Sequence, residues 1–272
     1  MNILIAGTSS GIGRFLATRL LEAGNHVWGF ARSTGDALHH AQFRPFICDV
    51  SDWEQVFQLS TRIAEEIAPL RAIVICAAVQ GPIGPAMAVD PQKWSASIRV
   101  NLDGTFNILR AFVPQLRSER NVRPKVLCFS GGGAAKSRPN FSAYAAAKAG
   151  VVRLVETLAE EWREIGVDIN AIAPGPLPTR MTDEILRDGA RTAGESEVTA
   201  ARESASSGPE NFERLGRLVD FLLSAESDGI SGKLISALWD PWEKFGEQRE
   251  RLRDTDLLTL RRITPEDRGK VW

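Results

Sequence analysis

Apolar residues fall along this chain in two alternating rhythms. Short, nearly continuous apolar runs such as "NILIA", "AIVICAA" and "KVLCF" are separated by longer stretches in which apolar positions recur every three or four residues. The first rhythm predicts strands over 2–6, 26–30, 44–48, 72–77, 125–129, 168–172 and 233–236; the second predicts helices near 11–23, 52–67, 93–118, 143–165 and 210–224. The run "AIVICAA" does not alternate apolar with polar, the mark of a strand covered on both faces. Seven strands alternating with helices predict an α/β fold, a parallel sheet sandwiched between two helical layers. No internal repeat or low-complexity linker interrupts the pattern.

Two stretches break the rhythm. Residues 181–209, including "RDGARTAGESEVTAARESASSG", are small, polar and weakly patterned, and predict a mobile excursion with short helices. Residues 239–272 hold Trp239, Trp242 and Trp272 among many charges. The expected organisation is one domain over 1–238, with 181–209 as a segment covering the substrate. A tryptophan-rich extension, 239–272, then packs on that domain or on a neighbouring subunit, since aromatics favour interfaces.

Composition narrows the picture. A chain of 272 residues with 43% hydrophobic and 25% charged residues is an ordinary globular protein with enough length for a full core. A net charge of −1 gives no electrostatic reason to expect a nucleic-acid or anionic-membrane partner. No apolar run is long enough to span a bilayer, and the start "MNILIAG" has no basic segment of a signal peptide. Cys48, Cys76 and Cys128 lie far apart in apolar runs, so they read as buried free thiols suited to a reducing cytoplasm. No Cys/His cluster suggests a metal, and His26, His39 and His40 have no ligand pattern around them.

The candidate chemistry begins at "GTSSGIG", which follows the first strand and opens a helix. Gly7 permits a tight turn, Gly11 lets backbone approach a pyrophosphate, and Gly13 lets the helix pack on the sheet. Ser9, Ser10 and Ile12 fill out a loop whose N–H groups and helix dipole favour an anion. The second strand ends in Ala31 and Arg32, where an NAD site usually carries an acidic residue for the ribose hydroxyls. Without that carboxylate a 2′-phosphate is not repelled, and a guanidinium can bind it through two hydrogen bonds. NADP(H) is therefore the expected cofactor, with NAD(H) as the alternative.

The only tyrosine in the chain, Tyr144, stands four residues before Lys148 in "YAAAK". On a helix these positions share a face. A phenol titrates near pH 10, and a neighbouring ammonium favours its anion, so the expectation is an acid–base pair tuned toward neutral pH.

With these residues in view, the chain resembles the short-chain dehydrogenase/reductase family in its compact single-domain branch, over roughly residues 1–236. Four segments match in the family's order: "GTSSGIG", "RVNLDGTF", "YAAAK" and "NAIAPGPLPT". The resemblance implies a Rossmann-type doubly wound sheet and an oxidoreductase interconverting a carbonyl and an alcohol on a small substrate. It implies that Tyr144 exchanges the substrate proton, that Lys148 lowers the phenol pKa and holds ribose hydroxyls, and that Asn101 supports a proton-relaying water. Asp49 and Val50, in "CDV", are implied near the adenine, Ala77 and Ala78 near the adenosine, and Pro174, Gly175, Leu177 and Thr179 on the nicotinamide side. A homodimer or homotetramer is implied by the family alone.

Two departures qualify the resemblance. Thirteen residues before the tyrosine, where the family carries a serine that polarises the substrate oxygen, this chain has Gly131. Ser130 is the favoured replacement over Ser142, and a backbone N–H of the glycine run is the third candidate. "ICAAVQG" stands where the family has an Asn-Asn-Ala-Gly-like run, so that asparagine's hydrogen bonds are replaced or lost. Because of Gly131, a dinucleotide sensor or scaffold remains the competing reading, and a related epimerase or dehydratase is a third. The polar character of 181–209 points to a polar substrate, such as a sugar derivative.

Overall fold

The computed structural model describes residues 1–33, 38–66, 69–118, 122–206 and 208–270; Trp272 lies outside them. Seven parallel strands form one sheet: β1 (Asn2–Ala6), β2 (His26–Ala31), β3 (Phe43–Ile47), β4 (Ala72–Ile75), β5 (Lys125–Phe129), β6 (Asp168–Ala173) and β7 (Leu234–Ser236), ordered 3-2-1-4-5-6-7. The predicted strands are all present, with ends shifted by a residue or two. The chain order reverses between β1 and β4, which pair from Ile3–Ala72 to Ala6–Ile75. In such sheets the crevice at the carboxyl ends of the two strands at this switch point binds ligands.

The continuous apolar runs follow from burial on both faces. Leu4, Ala6, Ile73, Ile75, Val126 and Cys128 pack to one side of the sheet, with residues of α2 (Trp53–Glu66), α4 (Gly104–Phe112) and α5 (Ser142–Glu161). Ile3, Ile5, Ala72, Val74, Leu127 and Phe129 pack to the other, with α1 (Gly11–Glu22) and α9 (Glu210–Leu223). Successive side chains on a strand point to opposite faces, so an inner strand covered on both sides is largely apolar, whereas the edge strand β3 leaves Arg44, Pro45 and Ile47 exposed.

The helix expected over 93–118 is broken. It begins as α3 (Pro91–Ile98), capped by the Asp90 carboxylate, passes through a π-turn at Arg99–Asp103, and resumes as α4. The π-turn carries Asn101, whose side chain is fixed to a neighbouring loop as described below; such turns concentrate at functional positions. The helix expected to reach 165 ends at Glu161, with turns leading to Gly166 at φ +69.

The described residues of 181–209 are largely helical, as the expected short helices require. They form α6 (Arg180–Asp188), α7 (Ala190–Ala193) and α8 (Glu195–Ser206). The few apolar side chains there, including Ile185, Ala193, Val198 and Ala201, converge on Phe141 and Tyr144 in a small third core. The tail packs on its own chain. Trp242, Phe245 and Leu252 join the α1/α9 core, the last two from α10 (Phe245–Arg253). The Leu258 carbonyl accepts from Leu234 N–H on β7, so the tail pairs with the outer side of the last strand. Trp239, by contrast, is exposed.

Candidate active site

The glycine turn follows directly from β1. Gly7, at φ +93, donates its N–H to the Phe30 carbonyl at 2.7 Å, which pins the turn to β2. A Cβ on Gly13 would lie 2.2 Å from the Gly7 carbonyl oxygen, and one on Gly7 2.7 Å from Ala77 N. Only glycine permits this packing. Ser10 precedes α1 without a side-chain cap, leaving the first N–H groups of the helix available to an anion.

One cleft runs from this turn across the switch point. Its walls include Gly7, Ser9, Ser10, Gly11, Ile12 and Gly13 from the turn, and Ala31, Arg32 and Ser33 beyond β2. Asp49 and Val50 follow β3, and Ala77, Ala78 and Thr179, also expected from sequence, line the cleft too. Cys76, Val79, Val100, Arg180 and Met181 also line it. Cys76, Val79, Arg180 and Met181 could have been signalled only by their position after strands β4 and β6, and Val100 only by its place beside Asn101 in "RVNLDGTF". Leu177 is instead buried in the α1/α9 core, and its carbonyl accepts from Thr182 Oγ1 at 2.7 Å. Pro174 and Gly175 are absent from the walls; a Cβ on Gly175 would meet Leu238 Cδ1 at 2.4 Å. Thr179 forms a capping box with Thr182 at the start of α6. The cradle therefore fits a dinucleotide: backbone closely packed by glycine, helix N–H groups free, and small residues opposite.

Tyr144, Lys148, Asn101 and Ser130 are all nearly buried and stand outside the walls of this cleft; Asn101 adjoins it through Val79, and Lys148 through Cys76. Asn101 ties the cleft wall down. Its Nδ2 donates to the Val79 carbonyl at 2.9 Å and to Ser97 Oγ at 3.1 Å, and its Oδ1 accepts from Val79 N–H at 3.0 Å. These bonds hold the loop that lacks the family's asparagine. Lys148 Nζ donates to the Phe129 carbonyl at 2.8 Å and stands 5.7 Å from the centre of the Tyr144 ring. It lies close enough to Cys76, in the cleft wall, for each to influence the other's ionisation.

The electrostatics differ from the simple pair expected from sequence. Burial raises the Tyr144 pKa above its ordinary value, and Arg138, its guanidinium carbon 5.6 Å from the ring centre, opposes this; Lys148 Nζ stands at 5.7 Å from the same centre. Arg138 was not legible as a neighbour, because a loop and not helical spacing brings it there. Burial also pushes the Lys148 ammonium down to about 8. In the unfolded chain a lysine holds its proton to about pH 10.4. Between these values the unfolded state binds the extra proton, so rising pH favours the folded state; below them both states are charged and the burial cost is fully present. The stability of the wild type relative to Lys148→Met should accordingly improve by roughly 2–3 kcal/mol between about pH 7 and pH 10. Taking the difference removes most of the contribution of the thiols and the phenol, whose raised values act in the opposite direction, and leaves only the coupling of Cys76 and Cys128 to Lys148. Urea unfolding across that range checks this, and a pH-independent gap would contradict it.

Gly131 is packed directly against Tyr144: a Cβ there would lie 2.5 Å from the phenolic Oη. The phenol thus occupies space that a side chain at this position would take. Ser130 Oγ is enclosed and has no hydrogen-bond partner, so it presents no surface to the cleft as it stands. Ser142 Oγ accepts from Trp94 Nε1 at 3.1 Å.

A nucleotide cleft at the switch point, with a buried phenol and ammonium beside it, defines a dinucleotide-dependent oxidoreductase. Residues 1–190 match the family model for short chain dehydrogenases, and the chain belongs to that family of NAD(P)-binding enzymes. It is 28% identical over 242 residues to the 3-oxoacyl-[acyl-carrier-protein] reductase of Thermotoga maritima, covering 85% of this chain and 94% of the relative. It is 26% identical over 254 residues to a D-beta-hydroxybutyrate dehydrogenase of Rhizobium meliloti, covering 86% and 95%. The solved structure of levodione reductase superposes with a TM-score of 0.74 at 26% identity, covering 86% of this chain and 95% of that one. Among the described residues no helix is long and apolar enough to cross a membrane, and no group of His, Cys, Asp or Glu is arranged to hold a metal.

Proposed function

We propose that this enzyme is an NADP(H)-dependent oxidoreductase acting on a small polar carbonyl or secondary alcohol, with Tyr144 as the proton donor or acceptor. The observation that carries this reading is the buried Tyr144 phenol set against Gly131, with Lys148 one helical turn away. A bound nicotinamide supplies or takes the hydride. A phenol kept protonated by burial is the form able to give its proton to a developing alkoxide. Lys148, anchored on the Phe129 carbonyl, holds a donor toward the ribose side, and Asn101 keeps the Val79 loop in place. With Ser130 Oγ enclosed and Ser142 Oγ engaged, the substrate oxygen is polarised by Tyr144 Oη and a backbone N–H of residues 131–133.

The NADP(H) preference rests on Arg32, exposed at the end of β2 and lining the cleft with Ser33, and on the absence of an acidic residue there. The test is NADPH and NADH oxidation against a panel of small polar carbonyls, repeated with Arg32→Asp. The ratio of kcat/KM for NADPH over NADH should fall at least about tenfold, the worth of one charge-assisted hydrogen bond. Nucleotide binding without turnover in either direction across the panel would favour the sensor reading.

Three free thiols, Cys48 and Cys128 buried and Cys76 partly so, fit a reducing cytoplasm as the working compartment. The enzyme works as a homodimer or homotetramer. Support comes from an apolar face on which Trp53, Phe57 and Phe106 are exposed beside a hollow of about 550 Å³. Sedimentation equilibrium of wild type and Phe106→Asp checks this, with dissociation expected in the variant and a monomeric wild type contradicting it.

A further inference from the structure

The glycine run before the catalytic helix does more than vacate the serine position: it makes room for an arginine. A Cβ on Gly133, at φ +99, would lie 2.8 Å from Ala145 Cβ and 3.2 Å from Arg138 Cβ; one on Gly132 would touch Arg138 Cδ at 3.8 Å. The run thus lets the loop after β5 fold back on itself and lay Arg138 against the start of α5. The guanidinium carbon stands 3.9 Å from the centre of the Phe141 ring and 5.6 Å from that of Tyr144.

A second element holds it there. Glu197, on α8, accepts from Arg138 Nε at 3.0 Å and from Nη2 at 2.7 Å, one on each carboxylate oxygen. The side chains are only 14% and 24% exposed, so this two-point bond is shielded from the competition with water that weakens surface pairs. The same loop is tied to the covering helices once more, through Asn140 Nδ2 and the Ala193 carbonyl at 3.2 Å. The apolar contacts of Ile185, Ala193, Val198 and Ala201 with Phe141 and Tyr144 complete the junction.

We propose that Arg138 is a positioning residue for the reaction: Glu197 seats it beside the Tyr144 ring, so that docking of the covering helices and the placement of a cation next to the proton donor are one event. This rests on the reading of Tyr144 as that donor. Glu197 faces the guanidinium from α8. From α5, Lys148 lies one turn beyond Tyr144, its ammonium turned to the Phe129 carbonyl, with the Cys76 and Cys128 thiols near it. Arg138, at 5.6 Å from the ring centre, is a second cation on the phenol beside Lys148 at 5.7 Å, and it draws the phenol toward ionisation against the effect of burial. When the covering helices move off, Arg138 loses its anchor and the tyrosine keeps only the Lys148 ammonium.

The single tyrosine makes this directly measurable, because the tyrosinate signal in ultraviolet difference titration reports Tyr144 alone. The titration is run on the full chain as wild type, Arg138→Gln, Arg138→Lys and Glu197→Gln, alongside limited proteolysis of 180–206. Arg138→Gln should raise the ionisation midpoint by at least about half a pH unit, roughly threefold in the ionisation constant. Arg138→Lys keeps the charge and should stay near wild type in titration. Glu197→Gln unseats the guanidinium and should raise the midpoint as well, by less than Arg138→Gln because a nearby carboxylate is lost with it. Both glutamine variants should be cleaved several-fold faster within the covering helices. A midpoint unmoved in Arg138→Gln, or cleavage unchanged in Arg138→Gln and Glu197→Gln, overturns the proposal. If Arg138→Gln is poorly folded, the Arg138→Lys and Glu197→Gln pair decides: a raised midpoint in Arg138→Lys, or unchanged cleavage in Glu197→Gln, overturns it equally. None of these readouts needs turnover, so failure of the enzymatic reading in the carbonyl panel remains a separate result.

Discussion

Replacing Tyr144 with phenylalanine should lower kcat by about 10²- to 10⁴-fold, the range that positioned general acids supply, with nucleotide affinity unchanged. Gly131→Ala should reproduce much of that loss with the hydroxyl still present. The added methyl would lie 2.5 Å from Tyr144 Oη, 3.1 Å from Cε1 and 3.2 Å from Cζ, so the phenol must retreat. It cannot retreat freely, because the ring shares a small core with Phe141, Ile185, Val198 and Ala201 and lies beneath Arg138. A displaced reacting group loses alignment, and an error of about 1 Å can cost on the order of 10²-fold. Gly131→Ser should fail in the same way, although it restores the residue type the family uses. The measurements are steady-state kcat with the best carbonyl of the panel, nucleotide affinity by fluorescence, and the thermal midpoint to confirm folding. Wild-type turnover in Gly131→Ala would show that the gap does not position the phenol. A gain in Gly131→Ser would show that this position lacks only a polarising hydroxyl.

Asp168→Ala should destabilise the fold by about 3 kcal/mol or more, the cost of breaking a buried ion pair. Asp168 opens β6 and is 1% exposed. It accepts from Lys125 Nζ at 2.8 Å, Arg123 Nη1 at 2.8 Å and Gly229 N–H at 3.0 Å. Lys125, 2% exposed at the start of β5, is strapped between Asp168 and Asp228, the second at 2.7 Å. Removing Asp168 strands a buried ammonium with half of its counter-charge and leaves the Gly229 N–H without its acceptor. Because Asp228 remains, the loss should fall toward the lower end of the range for broken buried pairs, roughly 3 kcal/mol. In a chain of this size that lowers the melting midpoint by roughly 6–12 °C. The cluster sits at the amino ends of β5 and β6, whereas Ser130 and the glycine turn lie at carboxyl ends, so kcat below the transition should stay within about twofold of wild type. Urea unfolding and kcat measured on the same preparation check both halves. Unchanged stability would show that the charges are compensated by water, and a large kcat loss at full folding would show coupling across the sheet.

The amino-acid pattern alone determined the scaffold. Strands buried on both faces must be apolar throughout, so β1, β4 and β5 announced themselves as uninterrupted runs, and the glycines of "GTSSGIG" announced a turn that only residues without side chains can make. Tyr144 and Lys148 were legible as neighbours because helical geometry converts a spacing of four into one face. What the sequence did not carry were contacts between segments distant in the chain. Asn101 holding Val79, Glu197 seating Arg138, and Lys125 shared by Asp168 and Asp228 join segments 22, 59, 43 and 103 residues apart. No local periodicity encodes such pairs, because they exist only once the sheet order brings strand ends and loops together. The balance of forces on the phenol belongs to the same class. Helical spacing set a lysine beside it, but packing decided that burial dominates its ionisation and that a second cation, Arg138, reaches it from a glycine-rich loop.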